Sequence, residues 1–265
     1  MLVAPGIRKV LAANPSPMTG EGTNTYLIGE QRVIVIDPGP ELASHVDQIL
    51  ASVAESGGQI RELLISHQHP DHLPAAYAIR ERTGALILAH PSVPGVDRAI
   101  DDRMTVASEL GPLTALATPG HADDHFCFWL ADPRVLFAGD LVAGVGTVVL
   151  STSPGALNAY LASLRRLVTM GPSTILPGHG PVVSNGLAHL QAYLDHRAER
   201  DRQILAALAS SRSRVEQIVD QIYAEVRPEL RPMAMRNVNA HLEHLLADGL
   251  VQRQGEDWSS RESTE

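Results

Sequence analysis

The chain has 265 residues, 44% of them hydrophobic, which suffices for one large domain or two with substantial cores. Its formal net charge of −9, from 21 basic and 30 acidic residues, argues against a broad nucleic-acid-binding surface. A lone cysteine rules out a disulfide framework, no run approaches the roughly 20 apolar residues of a membrane span, and Met1 to Ser16 lacks the apolar stretch of a secretion signal; a soluble, cytoplasmic protein with no membrane partner is expected.

In chain order, Tyr26 to Gly29 and Arg32 to Asp37 read as strands joined at Glu30-Gln31, a hairpin opening the fold, and Asp37-Pro38-Gly39 ends the second strand. Glu41 to Ser56 is helical in pattern, with Leu42, Val46, Ile49, Leu50 and Val53 on one stripe. The run Ile60 to Ile65 is short and apolar enough for a buried strand, and it leads into Ser66-His-Gln-His-Pro-Asp-His72. Pro70 and Pro74 keep a helix from forming across that motif, and the next helix is expected from about Leu73 to Thr83.

His67, His69, Asp71 and His72 place three imidazoles and one carboxylate within six positions. So many titratable groups in one turn would repel or need separate partners, whereas neutral imidazoles and an ionised carboxylate suit a borderline divalent cation. Three later runs each deliver one more donor from a strand end. Thr114 to His121 breaks at Pro119-Gly120, Val135 to Asp140 is an apolar run ending in a carboxylate, and Thr174 to His179 repeats the strand, Pro-Gly, His pattern. Ligand sites in α/β proteins gather at such ends. Gly120 and Gly178 immediately precede donors, where a missing side chain lets the backbone turn sharply.

Cys127 lies in the apolar strand candidate His125 to Leu130 and reads as a small buried hydrophobe. His125 opens that strand, as an edge histidine in preference to a substrate contact. Leu157, Tyr160, Leu161, Leu164 and Leu167 mark an amphipathic helix. Leu187 to Ser211 forms a long charged connecting helix, on which Arg197, Arg200 and Arg202 are expected on an exposed face, phosphate contacts at the mouth being the alternative. Val215, Ile218, Val219 and Ile222, then Val238, Leu242, Leu245 and Leu246, give two further helices, and Leu250 to Trp258 a hairpin around Gly255-Glu256. Helix, helix, hairpin is the pattern of a small winged-helix unit. Residues 206 to 265 hold seven arginines, no lysine and ten acidic residues, so DNA is not expected as a partner; packing on the catalytic domain or a homodimer contact is.

The order HxHxDH, His, Asp, His resembles the metallo-β-lactamase superfamily. GTNTYLIG at Gly22 to Gly29, TPGHADDH at Thr118 to His125, LPGHGPVV at Leu176 to Val183 and HRAERDRQIL at His196 to Leu205, followed by this tail, are similar to the β-lactamase-like protein 2 group. The resemblance implies an α/β (α+β) fold, an αββα sandwich over residues 1 to 205, and a winged-helix-like domain over 206 to 265. It also implies a metal-dependent hydrolase in which His67, His69 and His121 hold one divalent ion, Asp71, His72 and His179 hold a second, and Asp140 bridges. A water shared by the two ions would ionise near neutral pH and attack, with Asp71 and Asp140 orienting it. Zinc suits the mixed nitrogen and oxygen donors best, and iron or manganese fits the same set.

The substrate stays open among single-stranded RNA, the leading expectation from the group resemblance, a thioester or ester as in glyoxalase II relatives, and a β-lactam. Asp37 and Thr118 are candidates to accept the outer N–H of a ligating imidazole, Asp37 alternatively capping its turn. His45, His90, His189, His196, His241 and His244 lack neighbouring donors in sequence and read as solvated.

Overall fold

The computed structural model describes residues 1–209 and 212–261. Strands β1 (Leu2–Ala4), β2 (Ile7–Leu11), β3 (Asn24–Ile28) and β4 (Arg32–Ile36), helix α1 (Ala43–Ala54), β5 (Gln59–Leu64), α2 (Ala75–Thr83), β6 (Leu86–Ala89) and β7 (Arg98–Ala99) build a seven-stranded sheet in sequence order. The antiparallel hairpin β3/β4 is present, with Leu27 opposite Val35. It does not open the fold, because β1 and β2 precede it and β2 pairs with β3. Arg8 and Lys9 inside Ile7–Leu11 hide that strand from an apolar reading.

The second sheet has the order β12-β11-β10-β9-β8, from β8 (Thr105–Ser108), β9 (Gly111–Ala117), β10 (Phe126–Leu130), β11 (Val135–Gly139) and β12 (Thr174–Pro177). Ile28, Ile34 and Leu64 of the first sheet meet Phe128, Phe137 and Leu176 of the second in a buried layer between them. On the outer faces, Val46, Ile49 and Ile79 from α1 and α2 cover Leu27, Val35 and Leu63, while α3 (Ala156–Met170) and α4 (Gly186–Leu208) bring Leu157, Leu164 and Leu190 onto Leu116, Cys127 and Leu136. The result is the αββα sandwich. Both faces of each sheet are covered, which is why β4 and β11 are largely apolar runs with little alternation and β3 is buried along its whole length.

Strands β9 and β11 each run antiparallel to β10, and β11 is parallel to β12, so all three point their C-terminal ends the same way. In the first sheet β4 and β5 are likewise parallel. The loops after these five strands therefore meet at one edge of the sandwich.

Helix α4 continues three residues past position 205; Ser210 and Ser211, expected at its end, lie outside the described residues. Helices α5 (Val215–Ile222) and α6 (Arg231–Ala247) and the antiparallel pair β13 (Val251–Gln254) and β14 (Asp257–Ser260) form the winged-helix unit. Its own core gathers Ile218, Val238, Leu242 and Trp258 around Ile204 and Leu208 of α4. Among the described residues no helix is long and apolar enough to cross a membrane.

Candidate metal centre

The loop following β5 carries His67, His69, Asp71 and His72, and the loops after β9, β11 and β12 bring His121, Asp140 and His179 to it. Two donor clusters result, His67 with His69 and His121, and Asp71 with His72, Asp140 and His179, each with its donor atoms within 4.8 Å of one another. In the first, His69 Nδ1 lies 2.9 Å from His67 Nε2 and 3.0 Å from His121 Nε2. In the second, His72 Nε2 is 3.3 Å from Asp140 Oδ1, and His179 Nε2 is 3.1 Å from Asp71 Oδ2 and 3.2 Å from Asp140 Oδ2. Asp140 also reaches the first cluster, with Oδ2 3.7 Å from His121 Nε2.

The outer nitrogens fix which lone pairs point inward. Asp37 Oδ2 accepts the Ser66 hydroxyl at 2.7 Å and His72 Nδ1–H at 3.0 Å. With its proton committed to Asp37, Ser66 Oγ accepts from His67 Nδ1 at 2.9 Å. His121 Nδ1 donates to the Val149 carbonyl at 2.7 Å and His179 Nδ1 to the Gly22 carbonyl at 3.1 Å. All four imidazoles thus turn Nε2 to the interior, as the nitrogen left to ligate once any proton on it is displaced. Lone pairs facing one another at about 3 Å repel unless a cation lies among them, and the buried His72 Nε2 and Asp140 Oδ1 have no hydrogen-bond partner. Donors of this kind fit a divalent metal.

Electrostatics separates the two halves. Burial, then the neighbouring His72, pushes the His67 imidazole well below its usual range, and burial, then His121, lowers His69 as well. Burial also opposes charge on His72, but Asp140 and Asp37 outweigh it and hold that imidazole well above its ordinary value. His179 is raised to about 9, since its bonds to Asp140 and Asp71 outweigh burial. Asp140 goes the other way: burial resists its charge, and His72 and His179 overcome that to hold its carboxyl well below the carboxylate range. Without a metal, the second cluster keeps its carboxylates compensated by protons that a cation would displace.

Close approach explains one glycine. A Cβ on Gly178 would sit on Asp140 Oδ1, with His72 Cε1 at 2.8 Å.

Residues 18–179 match the metallo-beta-lactamase superfamily, and residues 215–258 match the beta-lactamase associated winged helix domain. The chain belongs to the metallo-β-lactamase superfamily. It is 32% identical over 261 residues to the beta-lactamase-like protein 2 homolog of Caenorhabditis elegans, covering 93% of this chain and 86% of that one. It is 33% identical over 245 residues to an atrochrysone carboxyl ACP thioesterase of Aspergillus chevalieri, covering 88% and 78%. The structure of a beta-lactamase domain protein from Burkholderia ambifaria superposes with a TM-score of 0.86 over 98% of this chain and 93% of that one, at 21% identity, a likeness of fold. Like the superfamily at large, this chain is a hydrolase.

Around this metallo-β-lactamase centre several sequence expectations are corrected. His125 is buried, not at an edge: Nε2 accepts the Asp140 backbone N–H at 3.1 Å and Nδ1 meets Thr118 Oγ1 at 2.9 Å, so Thr118 serves His125 and none of the seven clustered donors. His45 and His241 are not solvated: both are buried, His45 on Thr25 and His241 on Asp201. Arg197 lies in the interior, 1% exposed, where an outward helix face was expected. Sequence reasoning passed over Asn24, whose amide donates at 2.9 Å to the carbonyls of Pro177 and Gly180 on either side of His179. It also passed over Thr23, whose hydroxyl donates to Asp71 Oδ2 at 3.3 Å. Both stand in the quoted GTNTYLIG stretch. Ser66 was visible beside the histidines, but only the fold brings Asp37 to it.

Proposed function

We propose that the chain is a binuclear metal-dependent hydrolase of thioesters. His67, His69 and His121 hold one ion, Asp71, His72 and His179 the other, and Asp140 lies between. The observation that carries the two-ion reading is the reach of Asp140, within 3.7 Å of a nitrogen from each cluster. A zinc pair there supplies a water acidified for attack near neutral pH and a Lewis-acid contact for the substrate's oxygen. Asp71 and Asp140 orient the attacking water, Asp37 and Ser66 keep the His72 and His67 lone pairs inward, and His125 holds the Asp140 backbone.

The cleft supports the substrate class by its charge. A space of about 730 Å³ in front of the clusters is lined by Asp123 and Asp124 and by one arginine, Arg236 from α6. An RNA strand wants several cations along its phosphates, whereas a thioester carbonyl is uncharged. Its leaving thiol, with a pKa of about 8.5, departs as thiolate without a dedicated proton donor. The similarity to an ACP thioesterase agrees in chemistry. Single-stranded RNA is the second reading, favoured by Arg236 at the cleft and Arg200 in the neighbouring depression.

The test is a parallel assay of zinc-loaded and chelator-stripped protein on acyl-pantetheine and acyl-coenzyme A thioesters, with released thiol measured, and on single-stranded RNA and nitrocefin. Metal-dependent thiol release is expected. RNA cleavage with intact thioesters would replace the first reading by the second.

A further inference from the structure

The segment from Leu141 to Leu150, between the Asp140 strand and α3, has irregular backbone and is largely without ladder partners. Side chains satisfy its carbonyls in succession. On α4, His189, Tyr193 and Arg197 are spaced four apart and so share one face. His189 Nε2 donates to the Ala143 carbonyl at 2.8 Å, the Tyr193 hydroxyl to Gly146 at 2.9 Å, and the Arg197 guanidinium to Val148 at 2.9 Å. The next carbonyl, Val149, is the one that accepts His121 Nδ1–H at 2.7 Å. The one after, Leu150, takes the Arg236 guanidinium at 3.4 Å.

Arg197 is the unusual member. It is 1% exposed, no carboxylate lies within 4.0 Å of it among the described residues, and its Nε has no partner. Its guanidinium lies over the Tyr160 ring, 5.1 Å from the centroid. Burying a cation that no anion neutralises is costly, so packing alone does not account for an arginine here. Among the described residues its hydrogen bond runs to the residue adjoining the acceptor of a candidate metal-binding imidazole.

We propose that Arg197 is a positioning residue for His121: from the helix that carries the winged-helix unit, it fixes the Val148 carbonyl and with it the Val148–Val149 peptide, and so aims the adjoining Val149 carbonyl that fixes the His121 tautomer and ring. The consequence for metal rests on the binuclear reading above. The contact itself does not.

The test uses the full chain with ¹⁵N-labelled histidine. Arg197→Met keeps much of the side-chain volume and removes the donor; Arg197→Lys keeps a donor but loses the plane on Tyr160. In metal-free wild type the His121 Nδ1–H should be resolved and slow to exchange. In the Met variant its exchange is expected to quicken at least tenfold, and chelator competition should show the affinity for one ion falling about tenfold and the other unchanged, with the Lys variant between. A merely structural arginine would change the unfolding midpoint and leave His121 exchange as it was. Wild-type exchange and affinity in both variants overturn the proposal; if the Met variant fails to fold, the Lys variant decides. Quicker exchange with unchanged affinity upholds the Arg197 contact and removes His121 from the metal site.

Discussion

Asp37→Asn isolates one layer of the centre. The substitution is nearly isosteric, and the φ of 50° at this position is one asparagine adopts readily, so the backbone has no reason to move. Asp37 uses Oδ1 for the Ser66 N–H at 2.7 Å, so the amide must keep its oxygen there and turn its NH₂ to where Oδ2 receives Ser66 Oγ and His72 Nδ1. Ser66 Oγ has two lone pairs, so with its own proton turned aside it can accept from the amide and still accept from His67 Nδ1. His72 can face an amide N–H only by leaving Nδ1 bare and moving its proton to Nε2, which points at Asp140 3.3 Å away. A protonated Nε2 has no lone pair for a metal. Losing an orienting partner of this kind costs 10–100-fold in metal affinity, about 1.4–2.7 kcal/mol. Chelator-competition titration with elemental analysis reads it: wild type should bind two ions, and the variant should hold the His67, His69 and His121 ion at unchanged affinity while the other weakens by that factor. Two ions at wild-type affinity in Asp37→Asn would refute the tautomer argument, and weakening of the first ion alone would reverse the assignment of Asp37.

Asp140→Ala, or His69→Ala, should abolish turnover and lower metal content while circular dichroism stays native; full activity at unchanged stoichiometry would refute the site assignment. Gly178→Ala puts a methyl onto Asp140 Oδ1, and a displacement of about 1 Å there is expected to lower kcat/KM about 100-fold; wild-type rates would show that the loop yields freely. Burial pushes the His45 imidazole down to about 4 against about 6.5 in the unfolded chain. Above about pH 6.5 both states are neutral and the stabilisation is complete; from there down to about pH 4 only the unfolded chain takes up the proton, removing at most about 3 kcal/mol. The urea midpoint of wild type should therefore fall more steeply than that of His45→Gln over this window, and parallel profiles would contradict it.

What sequence disclosed here was local. Strand ends followed by Pro-Gly-His or by Asp announced the donors, because a short apolar run with a breaker has few other uses. Apolar spacing located α1 to within two residues and marked the buried stripe of α3, and α2 starts two residues after its expected beginning. What stayed hidden depended on partners far along the chain. Arg197 carries its charge inside because Val148 and Tyr160 receive it from about 50 and 37 residues away, and nothing in its helical neighbours distinguishes it from the exposed Arg202. His125 and Thr118 pair nearer by, across the loop between β9 and β10, which strand periodicity does not reach. The segment from Leu141 to Leu150 has no period at all, since its bonds are made by side chains.

Helix α4 is owned by two structures at once: its first half seals the second sheet through Leu190 and Tyr193, and its last turns complete the small core through Ile204 and Leu208. Module shuffling among relatives therefore has no clean seam near position 205. A chimera joined there would inherit one lineage's rod and another's socket, so viable exchanges should break before Asn185 and carry the entire rod with its cargo.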